Sequence, residues 1–174
     1  FHLSLQSGST AVLKTMNRRY TAEEFLNKCE LIRKFFPSAA LTTDIIVGYS
    51  TETEENFEET LDTARKAAFA DIHCFPYSKR EGTAGAKLKE IPYAVKAERT
   101  DRLLKLKAEL KEAFIKKNLG EIHELIPEET TDGYLVGYTE NYIRCYVKSD
   151  FINKKIKIRL TKSFRDGALA ELAE

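Results

Sequence analysis

The apolar residues of this chain change their period once, at Gly120, and that change limits what the chain can fold into. Before it, strand-like and helical spacings alternate; after it, only strand-like alternation remains. Phe1, Leu3 and Leu5 alternate with His2, Ser4 and Gln6 as on a strand, and Thr10 to Asn17 reads as a short helix with Val12, Leu13 and Met16 inward. A chain that opens on a strand with no lead-in predicts a preceding portion of the same protein. Thr21 followed by Glu24 is a capping-box signature, and Phe25, Cys29, Ile32 and Phe36 share one helical face until Pro37 stops it. The run Leu41 to Gly48 predicts a strand covered on both faces, as in a parallel sheet. Thr51 with Glu54 predicts the cap of the next helix, whose stripe is Phe57, Leu61, Ala64 and Ala68, before a strand over Ala70 to Tyr77. This alternation predicts right-handed βαβ units.

Pro92 suits the first turn of a long helix reaching about Asn118, with Leu103, Leu106, Leu110 and Phe114 on its apolar face. Residues 121–126, 134–139, 142–147, 154–161 and 168–172 then read as five short strands, with Asp132-Gly133 and Asp166-Gly167 as turns. The fold class expected is therefore α/β over residues 1–119, followed over residues 120–174 by a small antiparallel five-stranded β-barrel of the OB type.

With 174 residues, 43% of them hydrophobic, 32% charged and a formal net charge of +1, the chain can bury a core and is not disordered throughout. No apolar run is long enough for a membrane span, and no basic stretch leads into an apolar one, which predicts no membrane partner. Cys29, Cys74 and Cys145 are too dispersed for a disulfide framework or a CxxC knuckle, which predicts a reducing cytoplasm. His2, His73 and His123 stand at no metal-ligand spacing, so no metal site is expected. There is no nucleophile elbow, P-loop or GxGxxG, which leaves hydrolase, kinase and dinucleotide readings without support.

Ligands of parallel sheets bind beyond the C-terminal strand ends, so Gln6 to Ser9, Gly48 to Glu52 and Ser78 to Thr83 are the first candidates. Gly48 lets backbone approach a ligand and Glu52 offers a polar contact; the same stretch also reads as a plain turn with a capped helix. Arg80, in the loop Lys79-Arg80-Glu81-Gly82-Thr83, suits a carboxylate or phosphate, or a solvated turn. In the tail, residues 143–165 carry eight basic side chains against the single acid Asp150. Arg144, Lys148, Lys154, Lys155, Lys157, Arg159, Lys162 and Arg165 interleave with Tyr142, Tyr146 and Phe151, a pattern that suits an RNA backbone and stacked bases. The alternative is a set of solvated strand faces whose field is cancelled by Glu121, Glu124, Glu128 and Glu129.

Five blocks, in order, resemble the radical-SAM methylthiotransferases: His2 to Ser9 (HLSLQSGS), Met16 to Thr21 (MNRRYT), Thr43 to Gly48 (TDIIVG), Glu52 to Glu54 (ETE) and Tyr77 to Thr83 (YSKREGT). The tail resembles the TRAM domain of that family. The resemblance implies the C-terminal half of a partial (β/α)6 radical-SAM barrel followed by an OB-like TRAM domain, with the tRNA anticodon stem-loop as partner. Leu3 to Gly8, Phe75 to Arg80 and Gly137 to Tyr142 are most similar to the branch that adds a methylthio group to threonylcarbamoyladenosine beside the anticodon. The isopentenyladenosine branch, a ribosomal-protein methylthiotransferase fragment and a stand-alone RNA-binding module are the alternatives. The family uses S-adenosylmethionine and two 4Fe-4S clusters, one held by a CxxxCxxC loop; this sequence lacks that motif, which implies a fragment inactive alone, with an open sheet edge prone to self-association. The resemblance puts Gln6, Ser7, Val47, Gly48, Glu52, Tyr77, Ser78 and Arg80 near S-adenosylmethionine, and Tyr142, Arg144, Lys148, Lys154, Lys155, Lys157, Arg159 and Lys162 near RNA. Ser50-Thr51 stands where the family commonly has Pro-Gly, and Ala84-Gly85-Ala86 where it has Pro-Ala.

Overall fold

A computed structural model of the protein describes residues 1–79, 82 and 87–173. The chain divides into two compact units, Phe1–Lys111 and Glu112–Glu174.

In the first unit, residues 1–6 run parallel to β1 (Thr42–Val47), which pairs in parallel with β2 (Asp71–Pro76). The opening segment is an interrupted strand rather than the continuous one its alternation suggests. Its backbone bonds to Thr42, Asp44 and Ile46 flank a gap where the Thr43 hydroxyl accepts from the Leu5 N–H at 3.0 Å and donates to the Leu3 carbonyl at 2.6 Å. A side chain thus replaces a peptide group, and the backbone groups it serves stay satisfied. Helices α1 (Thr10–Thr15), α2 (Ala22–Phe35), α3 (Glu54–Ala67) and α4 (Tyr93–Lys117) complete the element order of this part. One face of the strands, with Leu5, Ile45, Val47 and Ile72, joins Phe25, Cys29, Phe57, Leu61, Phe69, Leu103 and Leu106 in a single core. The other face carries His2, Ser4, Thr42, Asp44, Ile46, His73 and Phe75, all at least partly exposed.

The two helix starts differ in how far sequence specified them. Thr21 and Glu24 form the expected reciprocal cap of α2. For α3 the expected Thr51–Glu54 cap is replaced by Thr53, whose side chain accepts from the Asn56 N–H at 3.2 Å while the Asn56 side chain accepts from the Thr53 N–H. Thr51 instead meets the Thr15 hydroxyl at 2.8 Å. Thr53→Ala is therefore expected to cost about 1 kcal/mol in thermal melts, and Thr51→Ala only a few tenths.

The second unit holds β3 (Ile122–Thr131), β4 (Tyr134–Thr139), β5 (Arg144–Val147), β6 (Ile156–Phe164) and β7 (Gly167–Leu172), closed into a barrel in the order β3-β4-β5-β7-β6. The barrel is not wholly antiparallel as expected: β7 lies between β5 and β6 and runs parallel to β5. β3 continues past Pro127, where the expected strand stopped, because a register shift between Pro127 and Glu129 accommodates a residue with no N–H to give. The β6–β7 reversal uses Arg165-Asp166, not Asp166-Gly167, and Gly167 stays in the ladder opposite Phe164. Leu125, Leu135, Ile143, Cys145, Val147, Ile158, Leu160 and Ala168 form one core cluster with Ile115 of α4.

Candidate functional site

Six of the candidate residues of the first unit, and Val47, meet at the C-terminal ends of its parallel strands. The Ile46 N–H donates to the Gln6 carbonyl at 2.9 Å and the Tyr77 N–H to the Val47 carbonyl at 2.8 Å, which joins three strand ends. Arg80 lies outside the described residues. Gln6 is half-buried with φ +68°, and its side chain makes no hydrogen bond among the described residues. The Ser7 side chain is turned inward: it is fully buried, 3.2 Å from the Thr60 hydroxyl, and accepts from the Ser9 N–H. Val47 likewise points into the helix-side core. Neither presents a side chain to a ligand.

Gly48 has φ +75°, and a Cβ there would lie 2.3 Å from Lys96 Cγ, so the close approach it permits is to the stem of a lysine on α4. Lys96 Nζ continues to the Tyr77 carbonyl at 3.2 Å and to Glu90 at 2.6 Å. Glu52 is buried; its Oε1 accepts from the Gly48 N–H at 2.9 Å and from Arg99 Nη1 at 2.8 Å, while Oε2 is buried with no hydrogen-bond partner among the described residues. Burial pushes the Glu52 carboxyl pKa up, opposed by the Gly48 N–H and the Arg99 charge. Arg99 also donates to the Glu52 carbonyl at 3.2 Å and to Glu54 at 3.1 Å, so the turn after β1 and the start of α3 are tied to α4. Tyr77 meets Tyr49 edge-on at 4.9 Å between ring centroids, and Ser78 is exposed. A free amide, an edge-on aromatic pair and a rigid turn can hold a small polar molecule that bears a ring.

On the barrel, most of the basic candidates already have partners. Arg144 donates to Glu129 at 2.7 Å and Asp166 at 2.9 Å, Lys155 pairs with Glu124 at 2.7 Å, and Arg165 pairs with Asp132 at 2.7 Å. Arg159 donates to the Gly120 carbonyl at 2.6 Å. Lys148 lies over the Tyr134 ring and Lys154 over the Phe151 ring. Lys157 and Lys162 are exposed and make no ion pair among the described residues. Tyr146, expected to be an exposed aromatic, is buried against Tyr134 and Phe164, with its hydroxyl 2.5 Å from Asp166. Tyr142 is 79% exposed and sits 6.4 Å from Tyr138, a ring that sequence reasoning passed over. Alternation was the available signal: Tyr138 follows the inward residues of β4 and faces out.

Parallel register also makes one cluster that residue spacing hides. His2, Asp44 and His73 offer three ligand atoms within 4.8 Å of one another, a grouping that their separation in sequence does not reveal.

Residues 1–64 match the Radical SAM superfamily. Nearly the whole chain aligns with the threonylcarbamoyladenosine tRNA methylthiotransferase MtaB of Bacillus subtilis, at 37% identity over 99% of this chain and 41% of that protein. It aligns equally with tRNA-2-methylthio-N(6)-dimethylallyladenosine synthases, at 39% identity in Aquifex aeolicus (99% of this chain, 40% of that protein) and 40% in Geobacillus thermodenitrificans (99% and 34%). Over nearly its whole length the chain is similar to radical-SAM tRNA methylthiotransferases. It spans about two fifths of the length of the first of these relatives.

The superfamily match takes in Gln6, Ser7, Val47, Gly48 and Glu52 and stops before Tyr77. Radical-SAM methylthiotransferases use S-adenosylmethionine with an iron–sulfur cluster, and the cysteines of this chain do not fit a cluster. Cys29 and Cys145 are buried in the cores of different units. Burial raises the Cys74 thiol to about 11 and the Cys145 thiol to about 12, so neither is a ready thiolate ligand. Among the described residues no helix is long and apolar enough to cross a membrane.

Proposed function

We propose that this chain is part of an enzyme that adds a methylthio group to threonylcarbamoyladenosine beside the tRNA anticodon. In this reading residues 1–119 are the later half of the radical-SAM barrel, residues 120–174 are a TRAM domain that holds the anticodon stem-loop, and the setting is the cytoplasm. The observation that carries it is the 37% identity to the Bacillus subtilis enzyme across 99% of the chain. The finer substrate assignment rests on the wording of Leu3 to Gly8, Phe75 to Arg80 and Gly137 to Tyr142, because dimethylallyladenosine synthases align just as well.

S-adenosylmethionine and the clusters would supply the radical and sulfur chemistry; the residues of this chain bind and orient. The unbonded amide of Gln6 and the Tyr77 ring fit an adenosyl group, with Ser78 at the rim. Glu52 acts one step back, fixing the Gly48 peptide through Oε1. Cluster ligands would have to come from outside this chain, which makes the chain inactive alone.

On the barrel, Lys157, Lys162, Tyr142 and Tyr138 are exposed side chains able to meet RNA. A fluorescent anticodon stem-loop is expected to bind the chain with steep salt dependence. Replacing Lys157 and Lys162 together by alanine should flatten the slope of log K against log salt by about 1.4–1.8, at about 0.7–0.9 for each phosphate no longer neutralised. An unchanged slope would remove both lysines from the interface. The substrate branch is tested by deleting the encoding gene and measuring tRNA nucleosides by mass spectrometry. Loss of the methylthio form of threonylcarbamoyladenosine supports this reading, and loss of the dimethylallyl form instead sinks it.

A further inference from the structure

We propose that His2, Asp44 and His73 form a binding site for a divalent first-row transition cation of the Zn²⁺ and Co²⁺ kind. The inference is independent of the tRNA reading and concerns the strand face opposite the core.

The placement follows from register. Asp44 and His73 are direct partners in the β1–β2 ladder, and His2 bridges to Thr42 from the neighbouring parallel segment. Side chains alternate across a strand, so when Leu5, Ile45 and Ile72 enter the core, these three emerge together on the opposite side. Their ligand atoms lie within 4.8 Å of one another, and His2 Nε2 is 3.3 Å from Asp44 Oδ2. A cation held at about 2.0–2.2 Å from nitrogen and oxygen ligands needs those ligands about 3–4 Å apart. All three groups are partly or fully exposed, so small rotations complete the approach.

Two neighbours already orient the ligands. His2 Nδ1 is 3.0 Å from the Thr42 hydroxyl, which leaves Nε2 as the atom turned toward Asp44. The Ser4 hydroxyl donates to Asp44 Oδ2 at 3.4 Å. Partners of this sort fix ring orientation and ligand basicity in metal sites. A plain His2–Asp44 ion pair on a partly exposed surface would explain two of the three groups and contribute little. It leaves His73 unexplained: that ring stands 5.9 Å from the His2 ring at 52°, unstacked, and makes no hydrogen bond among the described residues. Two imidazoles and one carboxylate with positions left open suit borderline cations, not Ca²⁺ or Mg²⁺, which prefer all-oxygen shells.

The test is a titration of the whole chain with Co²⁺, followed by its visible bands, and with Zn²⁺ by calorimetry. A terminal amine beside a histidine can also chelate a cation, and the Phe1 amine donates to the Ala40 carbonyl at 2.8 Å. Asp44→Asn and His73→Ala leave that pair intact and so separate the two modes. One equivalent is expected to bind, each substitution weakening it at least about tenfold and Thr42→Val about tenfold. As a measurement on the unaltered chain, Co²⁺ should shift the ring protons of both His2 and His73 in the NMR spectrum. No saturable binding, affinity within twofold after Asp44→Asn and His73→Ala, or shifts confined to one histidine would each overturn the proposal.

Discussion

Arg99→Ala is expected to cost about 3–5 kcal/mol, the usual result of leaving one partner of a buried ion pair without the other. The Glu52 side chain is 0% exposed and that of Arg99 5%, so water cannot take over the lost charge. Near 1 kcal/mol per 4–8 °C for a domain of about 100 residues, the melting point of the first unit should fall by about 12 °C or more. The defect should also depend on pH, with a sign fixed by the direction of the Glu52 shift. Its folded pKa lies above the ordinary 4.5, burial being the largest cause. A carboxyl of this kind binds its proton more tightly when folded, so its contribution is fully favourable below 4.5 and is lost as pH rises through the folded value. Removing Arg99 deletes a charge and a hydrogen bond that hold the value down, so the window widens upward. Arg99→Ala should therefore be less harmful at pH 5 than at pH 7.5, relative to the parent at each pH, and adding Glu52→Gln should recover part of the loss. Thermal unfolding followed by circular dichroism reads all of this. A loss of only 2–3 °C, equal at both pH values, would mean that the pair is solvated.

Gly167→Ala should be the counterpart in the barrel. A Cβ at Gly167 would lie 1.9 Å from the Arg144 carbonyl oxygen and 2.8 Å from its carbon, both backbone atoms of a strand paired on either side. Neither can retreat without breaking the β4–β5 or β5–β7 ladder, so about 3 kcal/mol, the upper end of ordinary overpacking costs, is expected. A domain of about 60 residues has roughly 3–9 kcal/mol in total, so a loss of about 3 kcal/mol should lower the urea midpoint of the second unit by a third or more. Gly120→Ala, with nothing within 4 Å of its Cβ, is the control: it bears backbone strain from φ +85° without a clash. Equal midpoints for the two variants would show that the β5–β7 junction yields.

Local signals were legible in the sequence and pairings between distant strands were not. The switch of period at Gly120, the Thr21–Glu24 cap and the strand over Thr42–Val47 all rest on neighbouring residues. The α3 cap is ambiguous in sequence because Ser50-Thr51-Glu52-Thr53-Glu54 offers two registers, and the choice is made by Glu52 turning back to Gly48. The same bond explains why Glu52 reads from sequence as a ligand contact yet sits buried as a brace. The parallel β5–β7 pair and the His2–Asp44–His73 cluster depend on which strands become neighbours, and His2 and Asp44 are 42 residues apart. Counting charges found the basic tail, but the ion pairs with Glu124, Glu129, Asp132 and Asp166 that occupy much of it come from other strands and turns.

The position of β7 between β5 and β6 also sets an order of assembly. Among the described strands it is the last of the barrel in sequence, and it covers two earlier edges at once. During synthesis β3, β4, β5 and β6 emerge first, and until residues 167–172 arrive the cylinder stands as an open sheet with β5 and β6 as bare edges. Such edges are templates for a strand from another nascent copy, so the same insertion that seals the finished barrel leaves its precursor open to aggregation.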